Sequence, residues 1–482
     1  MRVFDCILLH PTTHFRISPY EERIRYVIMP MGYIASADLL EKEGYDVRIF
    51  HTGLERMCNP YFTEEELFRR YEASIVGIDL HWYSHAYDTI RLARLVKQVF
   101  NAFVVLGGFT ASYFAEEILS SFNCVDAVIC GEAEVPLLEL VKHRNGDLRK
   151  VPNLLYRDNG SIKRSRRRYI ARTQDLDQLD FSNLSLLENW DKYIKLTCEN
   201  DDLRPKFKTQ GWVCIGRGCS VNCSYCGGGK NAYKILTGRS TPIFRSKKKI
   251  VETLAAFEER KISCAYIDFD PYPSRRRFYH ELFEMIRQEK IDISAQFLLW
   301  SLSDKQLLRD FKGTFNPLYS TITLSPESGS EYIRKLNKGF YYDNVSLLRW
   351  LNYAKDEMIP VELYFTSGLS WETKDHFEET IKLGRKIAKD YSMVVSNVCN
   401  PIILEPCCPR FIAPKDYEIS LKFRRFVDFY DTYERFAKGL PVTSSLGYET
   451  KQLSETEIIQ LSQRFNEVVA VSDDEVRLAN RK

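Results

Sequence analysis

The sequence predicts an α/β protein in which a doubly wound parallel sheet is followed by a partial (β/α)6 barrel and a small helical C-terminal region. Two blocks of short apolar runs alternate with helical-period segments, a turn-rich stretch separates them, and 482 residues leave room for about three domains at roughly 100–200 residues each. The composition is globular, with 44% hydrophobic and 28% charged residues, 23 Gly and 18 Pro, so most of the chain is expected to fold. Lys and Arg (68) nearly balance Asp and Glu (65), and a net charge of +3 gives no strong field for nucleic acid or anionic lipid. No apolar run approaches the roughly 18 residues that cross a bilayer, and no basic n-region precedes an apolar h-region. A soluble cytoplasmic protein without nucleic-acid or membrane partners is expected. Thirteen Cys, odd in number and without a disulfide-type framework, suggest reduced thiols with a metal site among them.

In the first block, residues 1–145, the expected strands are Val3 to Leu9, Asp46 to Phe50, Ile75 to Leu80, Phe103 to Leu106 and Ala127 to Cys130. Between them Ile34, Ala37 and Leu40, then Ile90, Ala93, Val96 and Val99, recur at helical spacing. Gly44 and Asn101 stand where helix C-caps are expected. Such sheets bind ligands beyond the carboxyl ends of their strands, here the loops His10 to His14, His81 to His85, Gly107 to Ser112 and Gly131 to Glu134.

Residues 146–208 are expected to form a linker with a hairpin, marked by the turn dipeptides Asn145-Gly146 and Asn159-Gly160. The basic run Lys163 to Arg168 reads as a solvated strand edge protected by charge. From 209 to 415 the alternation resumes, with runs at Trp212 to Ile215, Ala265 to Phe269, Ala295 to Leu299, Ser320 to Leu324, Val361 to Phe365 and Met393 to Val398. Six parallel strands with intervening helices make a partial barrel, whose chemistry belongs on the loops at the strands' carboxyl ends. Residues 416–482 are polar and helical, with Phe423, Phe426, Val427 and Tyr430 as a packing stripe.

Immediately after the first barrel strand comes Cys219-Ser-Val-Asn-Cys223-Ser-Tyr-Cys226. Structural zinc takes four protein ligands and no His lies nearby, whereas an iron-sulfur cubane can be held by three thiolates with its fourth iron left open. Cys214 is the alternative fourth thiol, although it falls inside the expected strand.

Cys-x3-Cys-x2-Cys in this position, with an aromatic residue before the third Cys, resembles the radical S-adenosylmethionine (radical SAM) superfamily. The resemblance implies a 4Fe-4S cluster on Cys219, Cys223 and Cys226 whose open iron chelates S-adenosyl-L-methionine, and reductive cleavage of that cosubstrate to a 5'-deoxyadenosyl radical. It places Tyr225 near the adenine and has Gly227, Gly228 and Gly229 admit close backbone approach. It also puts Asp268 and Asp270, which end the second strand, beside the cosubstrate ammonium group. Leu324-Ser-Pro-Glu327-Ser328-Gly329-Ser330, followed by Asn337-Lys338-Gly339, resembles the stretch after the fourth strand in the cobalamin-linked branch, with Glu327 and Ser328 as cosubstrate contacts. Thr366-Ser367-Gly368-Leu369 and Trp371-Glu372-Thr373 sit where that branch usually reads Gly-Leu-Pro-Gly-Glu-Thr, so Trp371 replaces the second Gly. For the acidic residues the alternative is a helix N-cap or a surface charge.

Val104-Val-Leu-Gly107-Gly108-Phe-Thr110-Ala-Ser112, with Cys130-Gly131-Glu132-Ala-Glu134, resembles the Rossmann-like cobalamin-binding domain that precedes many radical SAM barrels. A generic nucleotide-binding sheet would also show Gly there. Methyltransferase-type cobalamin domains supply an axial His from Asp-x-His-x-x-Gly after the first strand, where this chain has Leu9-His10-Pro-Thr-Thr-His14. Asp79-Leu-His81-Trp-Tyr-Ser84 imitates the motif after the third strand, with Ser in the last place. The resemblance therefore implies cobalamin held without the usual His ligand. His81 and Trp82 either face the corrin or pack structurally, and His10, His14 and His85 read as structural or loop residues.

The implied activity is cobalamin-dependent radical SAM chemistry, methylating an unactivated carbon of a small-molecule substrate, with an external electron donor such as flavodoxin or ferredoxin. Cobalamin-assisted rearrangement or cyclisation without methyl transfer is the alternative within the family. A non-catalytic iron-sulfur redox sensor is the alternative of another class, and a first sheet that binds no corrin is a third possibility. Tyr341, Tyr342, Trp371 and the Pro406-Cys407-Cys408-Pro409 turn either shape a pocket or pack. The adjacent Cys407 and Cys408 are not expected to be cluster ligands.

Overall fold

The apolar runs of the first block are enclosed on both faces, as parallel strands sandwiched between helices require. In the computed structural model, which describes residues 2–11, 30–59, 61–199, 210–270 and 275–469, they become β1 (Arg2–His10), β2 (Val47–His51), β3 (Tyr71–Asp79), β4 (Phe103–Gly107) and β5 (Ala127–Ile129). Ile7, Leu8, Leu9, Val76, Ile78, Val104 and Leu106 are buried in their core. The strand order β2-β1-β3-β4-β5 reverses direction of progression between β1 and β3, where a doubly wound sheet opens its ligand crevice. Gly44 and Asn101 end their helices in the left-handed region, at φ +87° and +48°. Helix Ala86–Val99 buries Ile90, Ala93 and Val96, while Val99, expected on the same face, is exposed.

The hairpin expected in the linker is β6 (Leu154–Asp158) and β7 (Ser161–Arg164). It does more than link: β6 pairs antiparallel with β5, so the sheet has seven strands. Asn159 and Gly160 both lie at positive φ, +47° and +80°, the turn that a two-residue hairpin requires. β7 is the sheet edge, and its exposed Lys163 and Arg164 fit the reading of the basic run as charge protection. The end of the expected linker, 200–208, and His14 lie outside the described residues.

Two distant segments, 233–240 and 423–445, cluster with this first unit. Helix Phe426–Ala437 buries Phe426, Phe429 and Tyr430 against Phe114, Phe122, Tyr83 and Tyr87, and Arg94 Nη1 donates to the Tyr430 hydroxyl at 2.7 Å. The aromatic stripe read from the sequence is therefore packing.

The second unit carries β8 (Gln210–Trp212), β9 (Gly216–Arg217), β10 (Ile243–Phe244), β11 (Cys264–Ile267), β12 (Ser294–Leu299), β13 (Thr321–Glu327), β14 (Val361–Ser367) and β15 (Val394–Pro401). Six of them lie side by side in the order β15-β14-β13-β12-β11-β8, every pairing parallel. This is the partial barrel expected. β8 ends at Trp212 rather than Ile215, so Cys214 stands in the loop that follows. β9 and β10 form a separate antiparallel ribbon, and β16 (Ile419–Leu421) pairs with β17 (Tyr448–Thr450).

Glu132, expected at a cofactor, is committed elsewhere. Its Oε1 accepts from Arg239 Nε and Nη2 at 2.9 and 2.6 Å, its Oε2 accepts from the Ala171 N–H, and both side chains of the ion pair are 4% exposed. Three of about four acceptor positions on this buried carboxylate are thus taken by the protein. Breaking a buried pair strands the remaining charge, at a cost of about 3–5 kcal/mol. Glu132→Ala is expected to lower the unfolding free energy of the first unit by that amount, and Glu132→Ala with Arg239→Met to recover most of it, measured by urea unfolding.

Candidate active site

The cysteine loop leaves the barrel just past β8 and β9, and its backbone is gripped by two segments far away in sequence. From the turn after helix Glu331–Asn337, Asn337 accepts the Ser224 N–H on its carbonyl at 2.8 Å and the Ser224 hydroxyl on Oδ1 at 2.7 Å. Asn337 also ties that turn to the loop after β14, donating to the Ser370 carbonyl at 3.1 Å and accepting the Ser370 N–H at 3.2 Å. From the turn after β15, Glu405 Oε2 accepts the Gly227 N–H at 2.7 Å and the Arg410 N–H donates to the Ser224 carbonyl at 3.0 Å.

All three thiols receive backbone donors, Cys219 from Val221 and Ser220. The Gly228 N–H reaches Cys226 Sγ at 3.3 Å and the Gly339 N–H reaches Cys223 Sγ at 3.1 Å. Donors aimed at sulfur are a lever by which proteins stabilise and tune iron-sulfur centres. Burial and then the neighbouring Cys223 push the Cys219 thiol up, while burial, Glu405 and Cys223 do so for Cys226. Thiols such as Cys219 and Cys226 that resist ionising when crowded suit a polycationic centre that neutralises them. Among the described residues no three His, Cys, Asp or Glu side chains converge on a single metal ion; a cubane instead asks each thiolate for a different iron. The Cys214 thiol points to the Gly216 carbonyl at 3.9 Å. The donor set therefore fits a three-thiolate cluster.

Gly227 owes its smallness to the clamp rather than to an approaching cosubstrate, because a Cβ there would come within 2.8 Å of Glu405 Oε2 and 2.9 Å of the Pro406 carbonyl. Gly228 has only ordinary contact around it, 3.8 Å to Cys226 Sγ. Gly339, quoted from the sequence only as part of a motif, fits against Val221 where a Cβ would stand 2.7 Å away.

The acidic candidates separate. Asp270 is buried, and its Oδ2 accepts the Trp300 and Ser301 N–H groups at 2.6 and 3.3 Å, so it fastens the loop after β12 and is corrected to a structural role. Asp268 is reached by solvent yet surrounded by protein that pushes its carboxyl up to about 6, as expected for a group on a concave wall. Glu327 ends β13 beyond a register shift, at φ +66°, and its carboxylate takes Lys338 Nζ at 3.3 Å. Burial and then the adjacent Glu327 hold the Tyr225 hydroxyl far above its ordinary range, so Tyr225, Glu327 and Lys338 form one cluster beside the cysteines. Burial opposes the charge on Lys338, but Glu327, Tyr342 and Cys223 together outweigh it and raise the ammonium's pKa. Ser328 is enclosed in the turn, its hydroxyl 3.3 Å from that of Thr380, and it supports the loop instead of facing the barrel mouth.

The loop after β14 is built around Glu372, which the sequence supplied only as part of a motif. Glu372 is fully buried and accepts the Gly368 N–H at 2.8 Å and the Leu369 N–H at 3.4 Å. Gly368 itself, at φ +83°, has its carbonyl taken by Arg410 Nη1 at 3.0 Å and the Tyr448 hydroxyl at 3.2 Å. A Cβ at Gly368 would lie 2.6 Å from that hydroxyl, so it is packed rather than open to a cofactor. Trp371 replaces a glycine of the related motif and keeps the glycine-like backbone, φ +63°, with its ring against Tyr417 at 5.7 Å.

In the first unit, Gly107 has open space where a Cβ would be, whereas at Gly108, φ +107°, a Cβ would stand 2.5 Å from the His81 nitrogen. Thr110 ties the same two loops, its hydroxyl donating to the His81 carbonyl at 2.8 Å. Gly131, φ +98°, would place a Cβ 3.1 Å from the Leu236 carbonyl. Protein contacts by themselves thus account for the residue types at Gly108, Thr110 and Gly131. His81 stacks on Phe109 at 4.7 Å with Trp82 edge-on at 4.6 Å, and burial lowers its imidazole pKa and favours the neutral ring. Trp82 is 39% exposed. His10 Nδ1 sits 3.0 Å from Asp79 Oδ2, with His85 Nδ1 at 3.9 Å. Burial works against the Asp79 charge, but His10 and then His85 outweigh it and hold the carboxyl low. His10 and His85 are both buried beside Asp79.

Burial pushes the Glu372 carboxyl up to about 8 against the Gly368 and Leu369 N–H groups and Arg410. A folded-state value raised from the ordinary 4.5 to about 8 gives stability that is present below the lower value and lost as pH rises through the upper one. Unfolding midpoints of the second unit should therefore fall between those pH values, and Glu372→Gln should flatten the decline, measured by denaturation across pH.

The B12 binding domain family matches residues 20–141 and the Radical SAM superfamily matches residues 213–384. An uncharacterized methyltransferase of Pyrococcus horikoshii is 25% identical over 411 residues, covering 81% of this chain and 80% of its own length. The anaerobic magnesium-protoporphyrin IX monomethyl ester cyclase of Rubrivivax gelatinosus is 26% identical over 316 residues, and the chain spans 52% of its length. Among solved structures, the radical S-adenosylmethionine methyltransferase TsrM from Kitasatospora setae superposes with a TM-score of 0.65 at 14% identity, covering 87% of this chain and 78% of that one. The cobalamin-dependent S-adenosylmethionine radical enzyme OxsB gives 0.57 at 13% identity, covering 98% and 62%. These likenesses share the fold described above. With three thiols clamped behind the first barrel strand and a doubly wound sheet ahead of it, the chain carries a radical SAM superfamily domain behind a B12 binding domain.

Proposed function

We propose that the protein is a cobalamin-dependent radical SAM enzyme that methylates an unactivated carbon of a small-molecule substrate. The observation that carries this reading is the three-thiol loop, with backbone donors on its sulfurs and the Cys214 thiol turned to the Gly216 carbonyl, fused behind a B12 binding domain. When bound, the cluster supplies reductive cleavage of S-adenosyl-L-methionine and cobalamin supplies the methyl group. The chain's own residues do the positioning. Cys219, Cys223 and Cys226 hold the cluster, and Gly228 and Gly339 direct N–H groups at its sulfurs. Asp268 accepts the cosubstrate ammonium at the barrel mouth, while Tyr225, Glu327 and Lys338 form the polar wall beside it. His81 and Trp82, with the open backbone at Gly107, would offer a corrin a neutral aromatic surface. An external low-potential carrier such as flavodoxin or ferredoxin supplies the electron. No helix among the described residues is long and apolar enough to cross a membrane.

Radical rearrangement or cyclisation without methyl transfer is the second reading, favoured by the cyclase relatives. The methyltransferase relative aligns over more of the chain, which favours methylation. Anaerobically reconstituted protein given dithionite should release 5'-deoxyadenosine, and substrate turnover should add S-adenosylhomocysteine. Turnover without the second product supports rearrangement, and an intact cluster that cleaves nothing supports a sensor. Stoichiometric corrin retained after hydroxocobalamin loading and desalting is expected; none would remove cobalamin from the proposal.

Replacing any one of Cys219, Cys223 or Cys226 by Ala should abolish the cluster's visible absorbance and strip its iron, whereas Cys214→Ala, Cys407→Ala and Cys408→Ala should keep both. Asp268→Asn removes a charge-assisted hydrogen bond of about 1.5–3 kcal/mol, a loss of roughly 10- to 100-fold in cosubstrate affinity. Because the Asp268 carboxyl titrates at about 6, wild-type affinity should weaken as pH falls through that value, and the Asn variant should lose this dependence in equilibrium binding.

A further inference from the structure

The β9–β10 ribbon joins the cysteine loop to a basic surface that neither the fold nor the chemistry above uses. β9 ends two residues before Cys219, and Gly216 on β9 pairs with Phe244 on β10. The Phe244 ring packs on Phe278 at 5.1 Å and on Phe269 at 5.5 Å, and Phe269 in turn meets Trp300 at 5.6 Å. Two cations lie over this aromatic floor: Arg275 is 4.6 Å from the Phe244 centroid and Lys247 is 5.5 Å from that of Phe278. Lys248, Arg275, Arg276 and Arg277 are all exposed.

The nearby acids are few. Glu281 takes Lys247 at 2.9 Å and also feels Arg277, and Glu252 takes Lys249 at 2.6 Å. Lys248, Arg275 and Arg276 remain without an ion-pair partner among the described residues. In a chain whose net charge is only +3, this is a concentration of uncompensated charge on one face. The face lies at the barrel end where β11 delivers Asp268, and packed rings and a paired ribbon connect it to the cysteine loop.

We infer that this surface, centred on Lys248, Arg275 and Arg276, docks the acidic one-electron carrier protein that reduces the cluster. The inference rests on the proposed function, which requires such an electron. Complementary charge steers a carrier to a productive face and speeds its association, an effect that salt screens. In the step itself, one electron leaves the fully reduced flavin of the carrier and enters the oxidised cluster. No atom is transferred, and the flavin keeps its second electron.

The test uses the reconstituted holoenzyme, with reduced flavodoxin as probe and dithionite as a small-molecule control, following cluster bleaching by stopped-flow absorbance. Lys248→Glu with Arg275→Glu and Arg276→Glu should slow flavodoxin-driven reduction about 10-fold or more and flatten its dependence on ionic strength. The dithionite-driven rate and the cluster content should stay unchanged. Arg166→Glu with Arg167→Glu and Arg168→Glu, on the first unit, is the equal-charge comparison and should keep the flavodoxin rate. An unchanged flavodoxin rate in the Lys248 variant, or an equal loss in the Arg166 variant, overturns the docking surface. A wild-type cluster that dithionite cannot reduce would instead count against the enzymatic reading.

Discussion

The chemistry of this protein depends on a backbone loop held still while carrying three sulfurs that repel one another once ionised. Nothing local can do this, because Cys219 to Gly229 forms no helix or strand to satisfy its own amides. The restraint comes instead from Asn337, Glu405 and Arg410, which close hydrogen bonds on Ser224 and Gly227 from the turns after β13 and β15. Each of these turns sits at the carboxyl end of a barrel strand. The parallel barrel brings those ends together, so the requirement for a rigid loop and the choice of fold are one constraint.

The rest of the second unit supports that end of the barrel. Glu372 gathers the amides after β14, Arg410 and Tyr448 seize the Gly368 carbonyl from outside, and Asp270 caps the loop after β12. These buried charged groups are costly to enclose unless satisfied, and most of their hydrogen bonds go to backbone. The buried charge at this end of the barrel serves largely to shape loops, while Asp268 remains in contact with solvent.

Strands were the most legible feature of the sequence. Doubly enclosed parallel strands are almost uninterrupted apolar runs, and all eleven expected ones appear within a few residues of their positions. The cysteine spacing was equally legible, being local and chemically narrow. What was not legible is pairing across distance. Asn159-Gly160 announced a hairpin but not its union with β5, and nothing in residues 233–240 or 423–445 says that they cluster with the first sheet. The same limit misplaced Glu132, Asp270, Ser328 and Gly227. A sequence motif names a residue beside a strand end, but whether its side chain faces a cofactor or an Arg239 is decided by a partner tens of residues away. Trp371 shows the converse, since the backbone shape survives although the glycine that usually supplies it is gone.

The clamp on the cysteine loop also carries a consequence for the order of biogenesis. Its fasteners come from residues 337, 405 and 410, nearly two hundred positions downstream of the thiols in the last case. During synthesis the three cysteines emerge long before anything can fix their spacing, and they are then a floppy chelator open to whatever soft ion is at hand. A defined three-thiol site therefore exists only once β15 and the turn after it have folded against the loop.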